Sequence, residues 1–213
     1  MNTFYFFNVM KSYIKYKINK FARKQKITNW LDRIILKNKK IAIVSNNCWN
    51  IGIYKNLNMQ FNTPFIGLAI NTNDFIKILS NLEYFLHFEL TDKNFIDSSN
   101  YPIAILNGIT IHFMHYTDSK SAISKWNRRK DRLLNYINNN GIDNVIFKCC
   151  DKDSIDSSDF EKFNKLPLKR KIYYRNTKKS IFLNRDGVFP DGIQLYDIRL
   201  LRYFEYLRLF KGL

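Results

Sequence analysis

Several features that mark common protein classes are missing from this sequence. No stretch approaches the roughly 20 uncharged apolar residues that a membrane-spanning helix needs. No basic segment precedes an apolar one at the start, which argues against a secretory signal. The three cysteines form an odd set with one adjacent pair, a poor disulfide framework that favours a reducing cytoplasm. Glycine-rich nucleotide-binding loops and the common hydrolase signatures are missing too.

Acidic residues are scarce: the 213 residues hold 18 Asp and Glu against 35 Lys and Arg, a net charge of +17. Such an excess often marks a nucleic-acid-binding protein. The excess lies at the ends, however, since residues 1–40 contribute +10, residues 41–165 contribute 0 and residues 166–213 contribute +7. Because the neutral middle has no basic and aromatic recognition motif, we expect no nucleic-acid partner. We predict a basic N-terminal segment, 1–40, followed by one domain, 41–213.

The N-terminal segment is predicted to form an amphipathic basic helix. Its apolar side chains fall in one broad sector of a helical wheel: Phe6, Phe7, Met10, Tyr13, Ile14, Ile18 and Phe21. Two interpretations stay open. The sector packs on the domain, or it lies among the headgroups of an anionic membrane and makes the protein peripheral to the inner face. A second short helix is predicted over Ile27–Leu36.

From residue 40 the pattern alternates between strands and helices. Strands are predicted at 41–44, 65–70, 102–106, 109–114, 144–148, 171–174 and 180–183, and helices at 75–86, 118–137, 156–164 and 198–210. The dipeptide Asn107-Gly108 is typical of a two-residue hairpin turn. The pattern predicts an α/β fold: a three-layer, Rossmann-like domain with a mainly parallel sheet and one hairpin, preceded by the amphipathic helix.

A polar loop after the first strand contains a candidate nucleophile. Ligands of open parallel sheets bind beyond the carboxyl ends of the strands, and Cys48 stands there, just before a predicted helix. A thiol at a helix N-terminus is activated by the helix dipole. Asn46, Asn47 and Trp49 are candidate substrate contacts, with the two amides as hydrogen-bond donors to a carbonyl or sugar. The alternative is that Cys48 is a small buried hydrophobe and the asparagines satisfy the turn.

Two histidines are candidate general bases for Cys48. His112 and His115 point to opposite faces of a continuous strand, so both serve one site only if the strand ends between them. His115 lies nearer the carboxyl end and is the better candidate. The alternative for each is a partly buried histidine with a structural hydrogen bond.

A block in the following helix, Trp126-Asn127-Arg128-Arg129, is a candidate anion site. Guanidinium groups bind phosphate or carboxylate through two parallel hydrogen bonds, as in nucleotide-sugars, lipid phosphates and coenzyme A. Trp126 either packs in the core or stacks on a ligand. The arginines either hold a phosphorylated donor or form a solvated face.

An Asp-x-Asp sequence, Asp151 and Asp153, follows a later apolar strand. Two carboxylates there could hold Mg²⁺ or Mn²⁺ between diphosphate oxygens, as in many nucleotide-sugar glycosyltransferases. The same pattern is common in acidic turns, and both interpretations stay open.

Several sequence blocks resemble the bacterial exopolysaccharide biosynthesis family, a domain of unknown function. They occur in order from about residue 40 to about residue 205: residues 43–49, 62–68, 101–103, 111–116, 125–129 and 163–167. The resemblance implies a role in making exopolysaccharide, capsule or lipopolysaccharide. It also implies that Cys48, His112, His115 and residues 126–129 form one site.

Together these features favour a transferase that acts on a glycan or lipid-linked glycan precursor. The favoured chemistry is acyl transfer through a Cys48 thioester, with acyl-coenzyme A as the donor. The alternatives are a metal-dependent glycosyltransferase that uses Asp151 and Asp153, and a non-catalytic adaptor of polysaccharide assembly at the membrane surface.

Overall fold

A computed structural model describes residues 27–97, 100–150, 158–174 and 207–213. Of Thr28 and Tyr174 it describes only the backbone. Upstream of residue 27 it also describes six separate residues: Met10, Tyr13, Ile14, Lys17, Ile18 and Phe21. The helices are α1 (Ile27–Leu36), α2 (Trp49–Asn56), α3 (Thr72–Ser80), α4 (Leu82–Leu86), α5 (Ser119–Asn140) and α6 (Asp159–Lys165). The strands are β1 (Ala42–Ser45), β2 (Phe95–Ile96), β3 (Ile103–Leu106), β4 (Ile109–His112), β5 (Val145–Cys150) and β6 (Arg170–Tyr174). Within these residues, no helix combines the length and the apolar character needed to cross a bilayer.

A parallel sheet of order β1-β5-β6 forms the centre of the domain. All residues of β1 and β5 are buried, because both faces of the sheet are covered. On one face, Val44 and Phe147 pack with α3, α5 and the second sheet. On the other face, Ile43 and Ile146 pack with Leu36 of α1, with α2 and with the C-terminal residues. This arrangement confirms the predicted α/β fold with its layers on both sides of a parallel sheet.

A second, antiparallel sheet has the order β2-β3-β4. Strands β3 and β4 are joined by Asn107 and Gly108, whose φ angles are 48° and 74°. Positive φ at both central residues is what the short hairpin turn needs, and Asn followed by Gly tolerates it best. The predicted hairpin is therefore confirmed.

The long helix α5 begins where the sequence predicts and continues three residues beyond the predicted end, to Asn140. The Asp118 carboxylate accepts a hydrogen bond from the Ser121 backbone N–H at 2.7 Å, which satisfies one of the free amides of the first turn. The helix ends before Gly141, whose φ is 80°. These local signals fix the direction in which the helix leaves the hairpin.

The predicted strand at 65–70 is wrong. Only Ala69 forms a β-bridge, with His112 of β4, and Gly67 has a φ of 71°, which breaks an extended strand. The segment instead connects the sheets, since the Ile70 N–H donates to the Asn46 carbonyl at 3.0 Å. The predicted strand at 180–183 and most of the predicted helix at 198–210 lie outside the described residues.

Candidate functional site

Cys48 lies at the carboxyl edge of the parallel sheet, as the sequence predicts. It follows β1 by three residues and immediately precedes α2, and its side chain is half-buried. The Sγ atom donates to the Leu68 carbonyl oxygen at 3.7 Å. The thiol is therefore held by a neighbouring segment at the positive end of a helix dipole.

The two asparagines before Cys48 are engaged by β5. The Asn46 side chain donates to the Cys150 carbonyl at 3.0 Å and accepts from the Cys150 N–H at 3.2 Å, so it continues the pairing of β1 with β5. The Asn47 Oδ1 accepts from the N–H of Trp49, the first residue of α2, at 3.2 Å. Its Nδ2 donates to the Cys150 Sγ at 2.9 Å. Both side-chain amides thus hold the loop in place. Their hydrogen bonds fit the alternative interpretation, in which the asparagines satisfy the turn.

A buried lysine beside Cys48 is a feature that the sequence interpretation missed. Lys148 of β5 has no exposed surface, and its Nζ donates to the Asn47 Oδ1 at 2.8 Å. Burial lowers the pKa of Lys148, while the nearby thiols of Cys150, Cys149 and Cys48 act to raise it. Lys148 therefore lies close enough to Cys48 for the two groups to interact electrostatically. A lysine inside an otherwise apolar central strand was the available signal, because such a strand is covered on both faces.

The segment Gly67–Leu68–Ala69 brings Cys48 and both histidines together. The His115 N–H donates to the Gly67 carbonyl at 3.1 Å, and the His112 N–H donates to the Ala69 carbonyl at 3.0 Å. Leu68 between them accepts from Cys48. Strand β4 ends at His112, so the two histidines fall on either side of a strand end, the condition under which both can serve one site.

The two histidines have different surroundings. His115 is exposed, and its Cβ lies 3.2 Å from the position that a Cβ on Gly67 would take. His112 is half-buried, and its Nδ1 lies 3.4 Å from the Tyr101 hydroxyl. The open position of His115 suits a base that meets an incoming substrate.

Tyr116 and Arg129 form a buried pair next to Cys48. The Arg129 guanidinium donates to the Tyr116 hydroxyl at 2.8 Å, and this hydroxyl donates to the Ile66 carbonyl at 2.7 Å. Burial raises the pKa of Tyr116; Arg129 opposes the shift, and a thiolate at Cys48 adds to it. Tyr116 therefore connects Cys48 electrostatically to Arg129.

Arg129 is a buried cation without an acidic partner among the described residues. It is 8% exposed, its Nε has no hydrogen-bond partner, and its guanidinium carbon stacks on Phe61 at 4.8 Å from the ring centroid. Burial lowers the pKa of Arg129, and Arg128 and Arg132 lower it further, whereas Tyr116 raises it. A buried guanidinium with free hydrogen-bonding capacity is suited to an anionic ligand.

The other residues of the predicted anion block do not share the surroundings of Arg129. Trp126 is 1% exposed and packs edge-on against Phe65 in the core, so the core alternative is the one that the structure shows. Trp49 is likewise fully buried and does not face solvent. The Asn127 side chain forms two hydrogen bonds with the Leu90 backbone, at 2.9 and 3.0 Å. Arg128 is exposed.

Asp151 and Asp153 lie outside the described residues, and the proposed metal site stays a prediction. Among the residues that are described, no three His, Cys, Asp or Glu side chains cluster as metal ligands. A cavity of about 510 Å³ lies along β6 and the C-terminal residues, and none of the predicted site residues that the structure describes line it. Basic side chains line much of it: Lys169, Arg170, Lys171, Arg208 and Lys211.

Comparison with known proteins identifies the family. A family described as "Domain of unknown function (DUF1919)" matches residues 17–184, and the chain belongs to this family. An uncharacterized protein of Haemophilus influenzae is 31% identical over 140 residues, which are 65% of this chain and 63% of that protein. The match therefore spans less than two thirds of that relative.

Proposed function

We propose that this family member is a transferase that moves an acyl group through Cys48 from acyl-coenzyme A to a precursor of a surface polysaccharide. The observation that carries the proposal is the position of one thiol beside two buried cations. Cys48 stands at the N-terminus of α2, interacts with Lys148 and connects through Tyr116 to Arg129. The helix N-terminus and Lys148 favour negative charge at the sulfur, and Arg129 supplies a second buried cation on the far side of Tyr116.

The first step forms the acyl-enzyme. The Cys48 thiolate attacks the thioester carbonyl, a bond forms between its sulfur and the acyl carbon, and the bond to the coenzyme A sulfur breaks. Coenzyme A leaves as a thiol after it takes up one proton. Arg129 binds the diphosphate of the donor, which supplies the negative charge that its buried guanidinium lacks.

The second step releases the acyl group. An acceptor hydroxyl loses its proton to His115 and attacks the thioester carbon, and Cys48 leaves as a thiolate. His115 suits this role because it is exposed and bonded to the segment that also holds Cys48. The choice of a polysaccharide precursor as acceptor rests on the resemblance of the sequence blocks.

Intact-mass measurement after incubation with acetyl-coenzyme A tests the proposal. We expect the wild-type protein to gain the mass of one acetyl group and Cys48→Ala to gain none. Cys149→Ala is the matched control, since it removes a thiol that is fully buried in the core, and it should still be acetylated. An unmodified wild-type protein, or equal acetylation of Cys48→Ala, contradicts the thioester mechanism.

A further inference from the structure

Helix α1 packs on the domain through the buried Leu36, the partly buried Leu31 and several polar side chains. Asp32 has no exposed surface and accepts from the Asn56 side chain at 3.4 Å. The same Asn56 amide donates to the Asn29 carbonyl at 3.0 Å, and the Arg33 Nε donates to the Asn56 carbonyl at 3.1 Å. Hydrogen bonds around one asparagine therefore join α1 to α2, beside the apolar packing of Leu31 and Leu36.

Four other large apolar side chains of α1 point away from the domain. Trp30 is 63% exposed and Ile34 is 61% exposed, and Ile27 and Ile35 are exposed as well. At 100° per residue, these four side chains share one side of the helix. An ordinary surface helix buries its apolar stripe in the core. Helix α1 buries Leu36 and part of Leu31 but leaves these four apolar side chains exposed, a surface that needs another apolar environment.

The described residues upstream extend this apolar character. They are helical, and all five apolar side chains are exposed and fall in one sector of the helical wheel: Met10, Tyr13, Ile14, Ile18 and Phe21. For these five residues, the interpretation in which the sector packs on the domain does not fit their exposure; Phe6 and Phe7 lie outside the described residues. Together with Ile27, Trp30, Ile34 and Ile35, they make up what we call the N-terminal apolar surface.

The charge around the N-terminal apolar surface is almost purely positive. Residues 1–40 contain eleven Lys and Arg and a single acid, Asp32. That acid is buried against α2, so it presents no negative charge to a partner. A second copy of the chain would bring two such basic segments together and meet charge repulsion. A layer with an apolar interior and a negatively charged surface matches these side chains better.

We infer that the N-terminal apolar surface docks on an anionic phospholipid bilayer. The apolar side chains enter the boundary between headgroups and acyl chains, and the surrounding lysines contact anionic headgroups. This inference goes beyond the proposed acyl transfer and does not depend on it, since it uses none of the residues around Cys48.

Tryptophan fluorescence of the full chain offers a specific test. Of the three tryptophans, Trp49 and Trp126 are buried, whereas Trp30 is exposed on the proposed docking face. Vesicles of phosphatidylcholine with phosphatidylglycerol should shift the emission to the blue and protect it from acrylamide. Vesicles of phosphatidylcholine alone should do so far less. Added salt should weaken the binding, because the attraction to anionic headgroups is screened.

Cosedimentation with the same vesicles distinguishes docking through this surface from nonspecific adsorption. Ile34→Ser should reduce binding about tenfold or more, because it removes one large apolar side chain from the face that enters the bilayer. Tyr84→Ser is the matched control, because Tyr84 is also an exposed apolar residue but lies on α4, and it should bind like the wild type. Far-ultraviolet circular dichroism checks that both variants fold.

Several outcomes overturn the inference. One is equal binding of wild type and Ile34→Ser to the anionic vesicles, and another is no binding by the wild type. A blue shift that appears without vesicles, rises with protein concentration and accompanies a dimer in sedimentation would assign the surface to a second copy instead.

Discussion

Replacement of Arg129 by methionine tests whether its buried charge belongs to the site or to the scaffold. Methionine has a similar length and no charge, so it removes the cation and largely fills the same volume. The Tyr116 hydroxyl keeps its bond to the Ile66 carbonyl at 2.7 Å and is not left without a partner. The substitution therefore isolates the guanidinium.

The contributions of Arg129 to stability nearly cancel. The hydrogen bond from the charged group to Tyr116 is worth about 1.5–3 kcal/mol. Stacking on Phe61 adds about 0.5–2 kcal/mol. Burial of a cation that has no acidic partner among the described residues costs several kcal/mol in the opposite direction. We expect the free energy of unfolding of Arg129→Met to lie within about 2 kcal/mol of the wild-type value.

Urea unfolding with and without pyrophosphate measures both effects. Pyrophosphate at about 100 times its Kd stabilises a protein by about 2.7 kcal/mol. The wild type and Arg128→Met, which changes an exposed neighbour, should show this gain, and Arg129→Met should lose it. A loss of more than about 4 kcal/mol in ligand-free Arg129→Met, or equal stabilisation of all three proteins, would refute the reasoning.

Three further substitutions test the surroundings of Cys48. Asn46→Ala should lower the free energy of unfolding by about 2–4 kcal/mol in urea, because it leaves the buried Cys150 N–H without its acceptor; an unchanged value contradicts this role. Gly67→Ala should lower the melting temperature more than Gly108→Ala: both have positive φ, but only at Gly67 would the new Cβ lie 3.2 Å from His115. Equal losses would show that the contact with His115 is unimportant. Lys148→Met should abolish a pH dependence of the free energy of unfolding. Burial lowers the pKa of Lys148 in the folded state, so between that lowered pKa and the usual 10.5 the unfolded state binds more protons than the folded state. In that range the stability of the wild type therefore rises with pH. Matching slopes in wild type and variant, from unfolding at a series of pH values, would contradict this.

Local signals in the sequence predicted much of the fold. The short β-branched run of β1, the Asn107-Gly108 turn and the Asp118 cap each act through neighbours in the chain, so sequence alone reveals them. The strand predicted at 65–70 failed because the backbone at Gly67 turns away, and the segment bonds to both sheets instead. Its apolar residues are buried as in a strand, so their pattern cannot distinguish the two states.

In the candidate site, too, local features could be predicted from the sequence and contacts between distant segments could not. The position of Cys48 follows from the order of strand, loop and helix. The buried cations near it come from distant parts of the chain: Lys148 of β5 bonds to Asn47, and Arg129 of α5 bonds to Tyr116. No sequence spacing encodes these contacts, because they depend on how the layers pack. The orientation of α1 was hidden for the same reason, since it depends on hydrogen bonds with Asn56.

A crystal structure with bound coenzyme A is the measurement that tests the central claim most directly. The account predicts that the diphosphate of coenzyme A contacts the Arg129 guanidinium and that its thiol reaches Cys48. His115 should face the same space. Coenzyme A bound in the basic cavity along β6, with Cys48 and Arg129 untouched, would contradict the account.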